Sequence, residues 1–262
     1  VYDGTRPLST AIVGVALSTE PDKGFYVPLG HTDDMGIPLN NIDTEYFADW
    51  FIPVFTVAEK PWRMFAAKSA LHVLSWAFDE KILPSLIRDA QIGAWMLSPG
   101  ESKYELEELC SRNGLREIGS REALVGHGKN EIPFSRVPVE ELSEYAAKSA
   151  AAIFELWDVV HSKLEKNGLE KHFLETEMPI LKVLFAMEEC GAAIDEDALK
   201  NLSADFSRRI EETEEKVYAL SGGNPFNIAS PKQLAEVLYD DLGLKVLKKT
   251  ATGRSTDSAV LD

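Results

Sequence analysis

The hydrophobic pattern of this 262-residue sequence changes at Val139, and that change constrains the fold more than any other feature. Before Val139, short alternating segments typical of strands lie between segments with helical spacing. From Val139 onward, every convincing segment repeats its apolar residues with the period of a helix. The sequence therefore predicts a mixed α/β region followed by an all-α region.

The first region is predicted to open with a β-hairpin, because residues 9–20 and 23–31 read as strands around the turn residues Pro21, Asp22 and Gly24. The segments that follow are predicted to be a helix at 44–55, a short strand at 61–67, helices within 69–78, 86–99 and 102–114, and an exposed polar loop at 121–138. These elements suffice for a domain of ordinary size.

The second region begins with an alanine-rich helix that ends at Asn167 and Gly168, where we place the boundary between domains 1–168 and 169–262. Further helices are predicted within 177–191, 196–223 and 230–243. The longest of these carries a narrow apolar stripe and an acidic back. Ser230 is the expected N-cap of the last one, with Pro231 in its first turn.

Composition limits the classes of partner. No apolar run is long enough to span a bilayer and no signal segment opens the chain, so we expect a soluble, cytoplasmic protein without a membrane partner. The two cysteines lack metal-binding spacing, as do the five histidines. A net charge of −16 disfavours a domain that binds nucleic acid through overall basicity. Residues 242–256, however, carry four basic side chains and no acid, so a local site is expected there.

Three C-terminal phrases, EMPILKVLFAMEECGAAID, PFNIASPKQLAEVLYDDLGL and KVLKKTATGRSTDSAVL, resemble in order and spacing the start of the polymerase region of family A DNA polymerases, the bacterial DNA polymerase I type. The resemblance implies that they build the thumb. Upstream, IVGVALS, GFYVPLGH, IRDAQIGAWMLSPG and EYAAKS resemble the 3′–5′ exonuclease domain of the same family. The implied fold is α/β ribonuclease H-like, a mixed sheet flanked by helices, followed by an all-α thumb segment.

The family's exonuclease holds two divalent metal ions with four carboxylates and a tyrosine that orients the attacking water. In this sequence only one carboxylate remains. The family positions fall on Asp3, Thr5, Ala66, Ser69, Ala70, Tyr145 and Ser149. Ala70 and Ser149 are neutral, and the neighbouring Lys148 adds repulsion for cations. We therefore expect neither bound metal nor a catalytic residue at this degenerate site.

The family resemblance also places the DNA contacts of the thumb. The residues that it assigns to phosphates of the primer-template duplex are Asn227, Ser230, Lys248, Lys249, Thr250, Thr252, Gly253, Arg254, Ser255 and Thr256. Lysine and arginine neutralise phosphate, hydroxyls donate hydrogen bonds, and glycine lets the backbone approach closely. For Ser230, helix capping is an equally good explanation at this point.

The resemblance implies a fragment of a DNA polymerase used in replication and repair, with the remaining partners being the palm and fingers that follow Asp262 in the family. The fragment is expected to be non-catalytic and free of cofactors, whereas the whole polymerase would use Mg²⁺. Two alternatives stay open. One is an active exonuclease in which unassigned acids, Asp33, Asp34, Asp79 and Glu80, rebuild the metal site. The other is an acidic protein-interaction domain.

Overall fold

A computed structural model describes residues 1–4, 7, 10–57, 59–250 and 253–261. The candidate positions Thr5 and Thr252 lie outside the described residues. The chain divides into two compact units, Val1–Gly191 and Ala192–Asp262.

The predicted N-terminal hairpin is present. Strands β1 (Gly14–Glu20) and β2 (Lys23–Pro28) pair in antiparallel fashion. Two short parallel strands follow, β3 (Trp62–Met64) and β4 (Ile87–Asp89), and the second unit contains the antiparallel pair β5 (Lys249–Thr250) and β6 (Gly253–Arg254). Within the described residues the strands thus form three two-stranded sheets rather than the single mixed sheet that we expected. One reason is that β3 and β4 are only three residues long.

Most of the structure is helical. The helices are α1 (Thr44–Val57), α2 (Ala67–Ala77), α3 (Ala90–Leu97), α4 (Leu106–Arg112), α5 (Arg121–Val125), α6 (Val139–Lys166), α7 (Glu170–His172), α8 (Met178–Cys190), α9 (Glu196–Leu220), α10 (Pro231–Glu236) and α11 (Ser258–Leu261). Of the helices in the described part of the chain, none combines the length and apolarity needed to cross a membrane.

The connector at 121–138 is not the exposed loop that its polar composition predicted. It contains α5 and two short 3-10 turns, and its Val125 and Val137 are buried. Both valines belong to a small apolar cluster with Val13 of the hairpin segment and Leu142 of α6. Burial of these two valines therefore anchors the connector to the first unit. The many polar residues around them gave no indication of this in the sequence.

The boundary between the units lies later than the predicted one at Gly168. Phe173, Leu181 and Phe185 are buried in the hydrophobic core of the first unit. Helix α8, which we had assigned to the second domain, thus packs with the first unit and contacts α2. Burial of large apolar side chains, rather than the glycine stop after α6, decides where the unit ends.

Helix α6 is the element of the first unit against which the β1–β2 hairpin packs. The hairpin contacts the alanine-rich side of this helix. The approach is closest at Gly24, where an added Cβ would lie 2.0 Å from the carbonyl oxygen of Ala147. Ala151 and Ala152 are also fully buried on this helix. The small side chains of α6 therefore let the sheet approach the helix backbone, which explains why alanine is so frequent there.

Replacing Gly24 by alanine should destabilise the first unit by roughly 1–3 kcal/mol, because the new methyl group would force the hairpin away from α6. The matched control is Gly100→Ala, since the space around Gly100 is open and its backbone is not left-handed. Urea unfolding followed by circular dichroism measures both variants. Equal stability of the two variants would show that the close approach to α6 does not matter.

Candidate functional site

One cleft of the first unit, with a volume of about 1190 Å³, collects most of the predicted exonuclease positions. Asp3 of the N-terminal segment, Ala70 of α2, and Tyr145 and Ser149 of α6 all line it. Ala66 and Ser69 are not among the described lining residues. The structure therefore brings together four positions from three segments that are far apart in the sequence.

The polar side chains at these positions form hydrogen bonds with other groups of the protein. Both carboxylate oxygens of Asp3 accept from the backbone N–H of Ser135 at 3.3 Å. The hydroxyl of Tyr145 donates to Glu107 at 2.8 Å, and the hydroxyl of Ser149 donates to the carbonyl oxygen of Tyr145 at 2.8 Å. Burial, followed by the hydrogen bond to Glu107, raises the pKa of Tyr145. The tyrosine thus stays a neutral donor aimed at a carboxylate.

Glu107 is a site residue that the sequence analysis missed. It lies in the first turn of α4 and lines the cleft next to Glu105 and Glu108. No local pattern identifies it, because its partner Tyr145 is on another helix. The rim of the same cleft carries an ion pair between Arg121 and Glu131. Apart from Asp3, the acids of the cleft therefore lie at other positions than those of the family pattern.

These acids do not converge on a metal site. In the described part of the chain, one group of three potential metal ligands has its ligand atoms within 4.8 Å of one another. It consists of His161, Glu165 and Glu170. None of these three is among the described residues of the cleft. Hard divalent cations require several convergent oxygen ligands. The cleft therefore lacks, among its described residues, the donor set that two such ions need.

The unassigned acids do not rebuild the site either. Asp33 accepts from the backbone N–H groups of Met35 and Ile37 at 2.9 and 2.8 Å, which closes a local turn. Asp79 and Glu80 line a different, smaller cavity. Asp34 is exposed. In the described structure, none of these four carboxylates lines the cleft that contains Asp3.

The segment that begins α2 is organised by Asp89. Ala66 adopts a left-handed conformation with φ of 48°, and α2 starts directly after it. The buried carboxylate of Asp89 accepts from the backbone N–H of Ala67 at 2.7 Å and caps α3 through the N–H of Gln91 at 2.9 Å. Burial raises the pKa of Asp89, against the opposing effect of these hydrogen bonds. Its role is structural.

The second candidate site lies at the β5–β6 hairpin. The guanidinium of Arg254 forms two hydrogen bonds to Asp240, at 2.5 and 2.6 Å, and lies over the ring of Tyr239. The hydrogen bond from Arg254 lowers the pKa of Asp240. Lys248 is 3.3 Å from Asp257. Acids just outside residues 242–256 thus compensate two of the basic side chains, which the local charge pattern did not predict.

Lys249 differs from these two residues. Its side chain is exposed, and within the described residues it has no ion-pair partner. Gly253, the β6 residue that pairs with Thr250, is exposed as well. The side chain of Thr250 is outside the described part of the structure. Within residues 248–256, which we call the tip, Lys249 is therefore the basic side chain most available to a phosphate.

Several predicted contact residues are engaged in local structure. Ser255 is only 2% exposed; its N–H donates to the carbonyl oxygen of Lys248 and its own carbonyl oxygen accepts from Tyr239. Ser230 caps α10 by accepting from the N–H of Gln233. The N–H of Asn227 donates to the side chain of Gln233 at 2.7 Å. Thr256 is half-buried. Ser255 therefore holds the tip together instead of facing outward.

Sequence comparisons relate this chain to one family. Residues 196–262 match the family model for DNA polymerase family A. The chain is 34% identical over 252 residues to DNA polymerase I of Bacillus subtilis and 31% identical over 252 residues to that of Pseudomonas aeruginosa. Each alignment covers 95% of this chain and 27% of the relative. The chain thus spans about a quarter of the length of the curated relatives that it matches.

A solved structure has a similar fold. The POL domain of Pol1 from M. smegmatis, in complex with DNA primer-template and dNTP, matches 99% of this chain and 40% of its own chain, with a TM-score of 0.62 and 23% sequence identity. At this identity the match concerns the fold alone. Together the comparisons confirm the predicted resemblance, and they agree with a mostly helical structure that contains small sheets.

Proposed function

We propose that this chain, a relative of the family A DNA polymerases of the bacterial DNA polymerase I type, works within a DNA-directed DNA polymerase. The first unit is a degenerate ribonuclease H-like domain without proofreading activity. The second is part of a thumb that holds the primer-template duplex. In this proposal, the whole protein synthesises DNA in replication and repair and uses Mg²⁺. The present chain contacts the palm and fingers of that protein. The observation that carries it is a cleft lined by Asp3, Ala70, Tyr145 and Ser149, four positions that the family resemblance assigns to an exonuclease site, of which Asp3 alone is a carboxylate.

The chemistry of the cleft argues against proofreading. A two-metal exonuclease stabilises the attacking and the leaving oxygen with ions about 3.5–4 Å apart, and the protein must neutralise both ions. Ala70 offers no ligand, and the hydroxyl of Ser149 is bonded to its own helix. Lys148 is paired with Glu144 on the exposed side of α6. Asp3 alone cannot supply the required negative charge.

The tip of the second unit has the chemistry of a phosphate contact. The exposed ammonium group of Lys249 is an accessible donor. Arg254 is held by Asp240 on an exposed surface, so a phosphate could replace that carboxylate as its partner. Contacts of this kind position a duplex without reading its sequence. Primer-template DNA in the solved relative is consistent with this assignment.

The purified chain should leave a labelled 3′-mismatched primer intact in the presence of Mg²⁺ or Mn²⁺. The physical reason is the missing donor set, and gel electrophoresis of the primer measures the result. The variant that combines Thr5→Glu, Ala70→Asp and Ser149→Asp should gain Mn²⁺ affinity, because it restores three acids near Asp3. Metal-dependent shortening by the unmodified chain that disappears in Asp3→Ala would instead establish an active exonuclease with divergent ligands.

Duplex binding should depend on salt through Lys249. Replacing Lys249 by alanine should reduce the slope of log K against log salt by about 0.9, the value for one phosphate contact. Asp240→Asn should strengthen binding at low salt, because it removes a carboxylate that competes for Arg254. Fluorescence anisotropy with one primer-template at several salt concentrations measures both effects.

The matched control for this experiment is Lys200→Ala, which removes an exposed lysine of α9 that is paired with Glu196. Its slope should equal that of the unmodified chain. If Lys249→Ala and Asp240→Asn also leave duplex binding unchanged, the tip is not the DNA site. The acidic protein-interaction domain would then be the better description of the second unit.

A further inference from the structure

His72 of α2 is a buried histidine whose two ring nitrogens both face carboxylates. The residue is 3% exposed. Its Nδ1 lies 2.7 Å from Glu189 Oε1 and its Nε2 lies 2.8 Å from Glu188 Oε2. Both glutamates belong to α8, and the ring also stacks on Phe185 of the same helix, with centroids 4.4 Å apart. All of these contacts join α2 to α8.

The arrangement has one consistent protonation state. An ionised carboxylate only accepts hydrogen bonds, whereas a neutral imidazole has a single N–H donor and one lone pair. Two carboxylate partners therefore require the imidazolium, which donates from both nitrogens. In the neutral ring, one nitrogen lone pair would face an oxygen of a partly exposed carboxylate, and that contact would become unfavourable.

Other charged groups surround this contact. Lys68, one turn before His72, lies 2.5 Å from Glu188 and lowers the pKa of that glutamate. Glu188 therefore stays ionised under mildly acidic conditions. The side chains that line the small cavity beside the two glutamates include Asp79, Glu80 and Lys81. Counting Lys68, these neighbours are two acids and two bases, so it is the two glutamates in contact with the imidazole that favour its cation.

We propose that His72, Glu188 and Glu189 form a proton-dependent clamp that fastens α8 to α2. The clamp is complete when the imidazole is charged and loses one hydrogen bond when the imidazole is neutral. The buried Leu181 and Phe185 still hold α8 to the core, so loss of the proton loosens this helix without releasing it. Because α8 is the last helix of the first unit, the clamp makes the order of that end of the unit depend on pH.

Hydrogen exchange of peptides from α8, measured at pH 6 and pH 8 and corrected for intrinsic exchange rates, tests this proposal. These values lie on either side of the range in which imidazoles ordinarily titrate. Transient opening of α8 should be about tenfold more populated at pH 8, the size expected from one charged hydrogen bond. In His161→Gln, which removes a half-buried histidine with a single carboxylate partner, the pH response of α8 should persist.

The decisive variant is Glu189→Gln. A glutamine amide can accept from the imidazolium or donate to the neutral ring, so it satisfies Nδ1 in both states. The pH response of α8 should therefore disappear while the helix stays ordered. Unchanged protection of α8 between pH 6 and pH 8 in the unmodified chain would overturn the proposal, and so would a full pH response in Glu189→Gln. The ¹⁵N shifts of His72 should show both ring nitrogens protonated at pH 6; a neutral tautomer at that pH would equally overturn it.

Discussion

The close contact between the hairpin and the alanine-rich side of α6 is the interaction on which the first unit depends. Gly24 lies against the backbone at Ala147, two residues from both Tyr145 and Ser149 of the cleft. A second contact ties β3 to the same helix, because Arg63 donates to the carbonyl oxygen of Phe154 at 2.8 Å and pairs with Asp158 at 2.9 Å. One rigid helix thus fixes the position of the sheet elements and of one wall of the cleft.

Charge compensation characterises both candidate sites. In the cleft, the remaining tyrosine is bonded to Glu107, and the carboxylate of Asp3 is bonded to the backbone at Ser135. At the tip of the second unit, Asp240 holds Arg254 and Asp257 holds Lys248. A chain with a net charge of −16 can still offer a phosphate-binding surface, because charges act mainly within about 8 Å at physiological salt. What matters is which basic groups remain available at that distance.

The sequence predicted the elements that depend on local pattern. The hairpin, the long helices α6 and α9 and the cap at Ser230 all follow from periodicity and terminal residues. Periodicity and terminal residues do not indicate which distant segments are in contact. Burial of Val125 and Val137, inclusion of α8 in the first unit and the pairing of Arg254 with Asp240 each require knowledge of which segments meet in space. Glu107 was missed for the same reason.

We propose that the cleft around Asp3 has the layout of an exonuclease site but lacks the charge to hold its metal ions. Crystals of the protein soaked in Mn²⁺ test this directly, because manganese gives an anomalous scattering signal. No manganese peak is expected beside Asp3. Two peaks in the cleft about 3.5–4 Å apart, bound by Asp3 together with other acids, would contradict it.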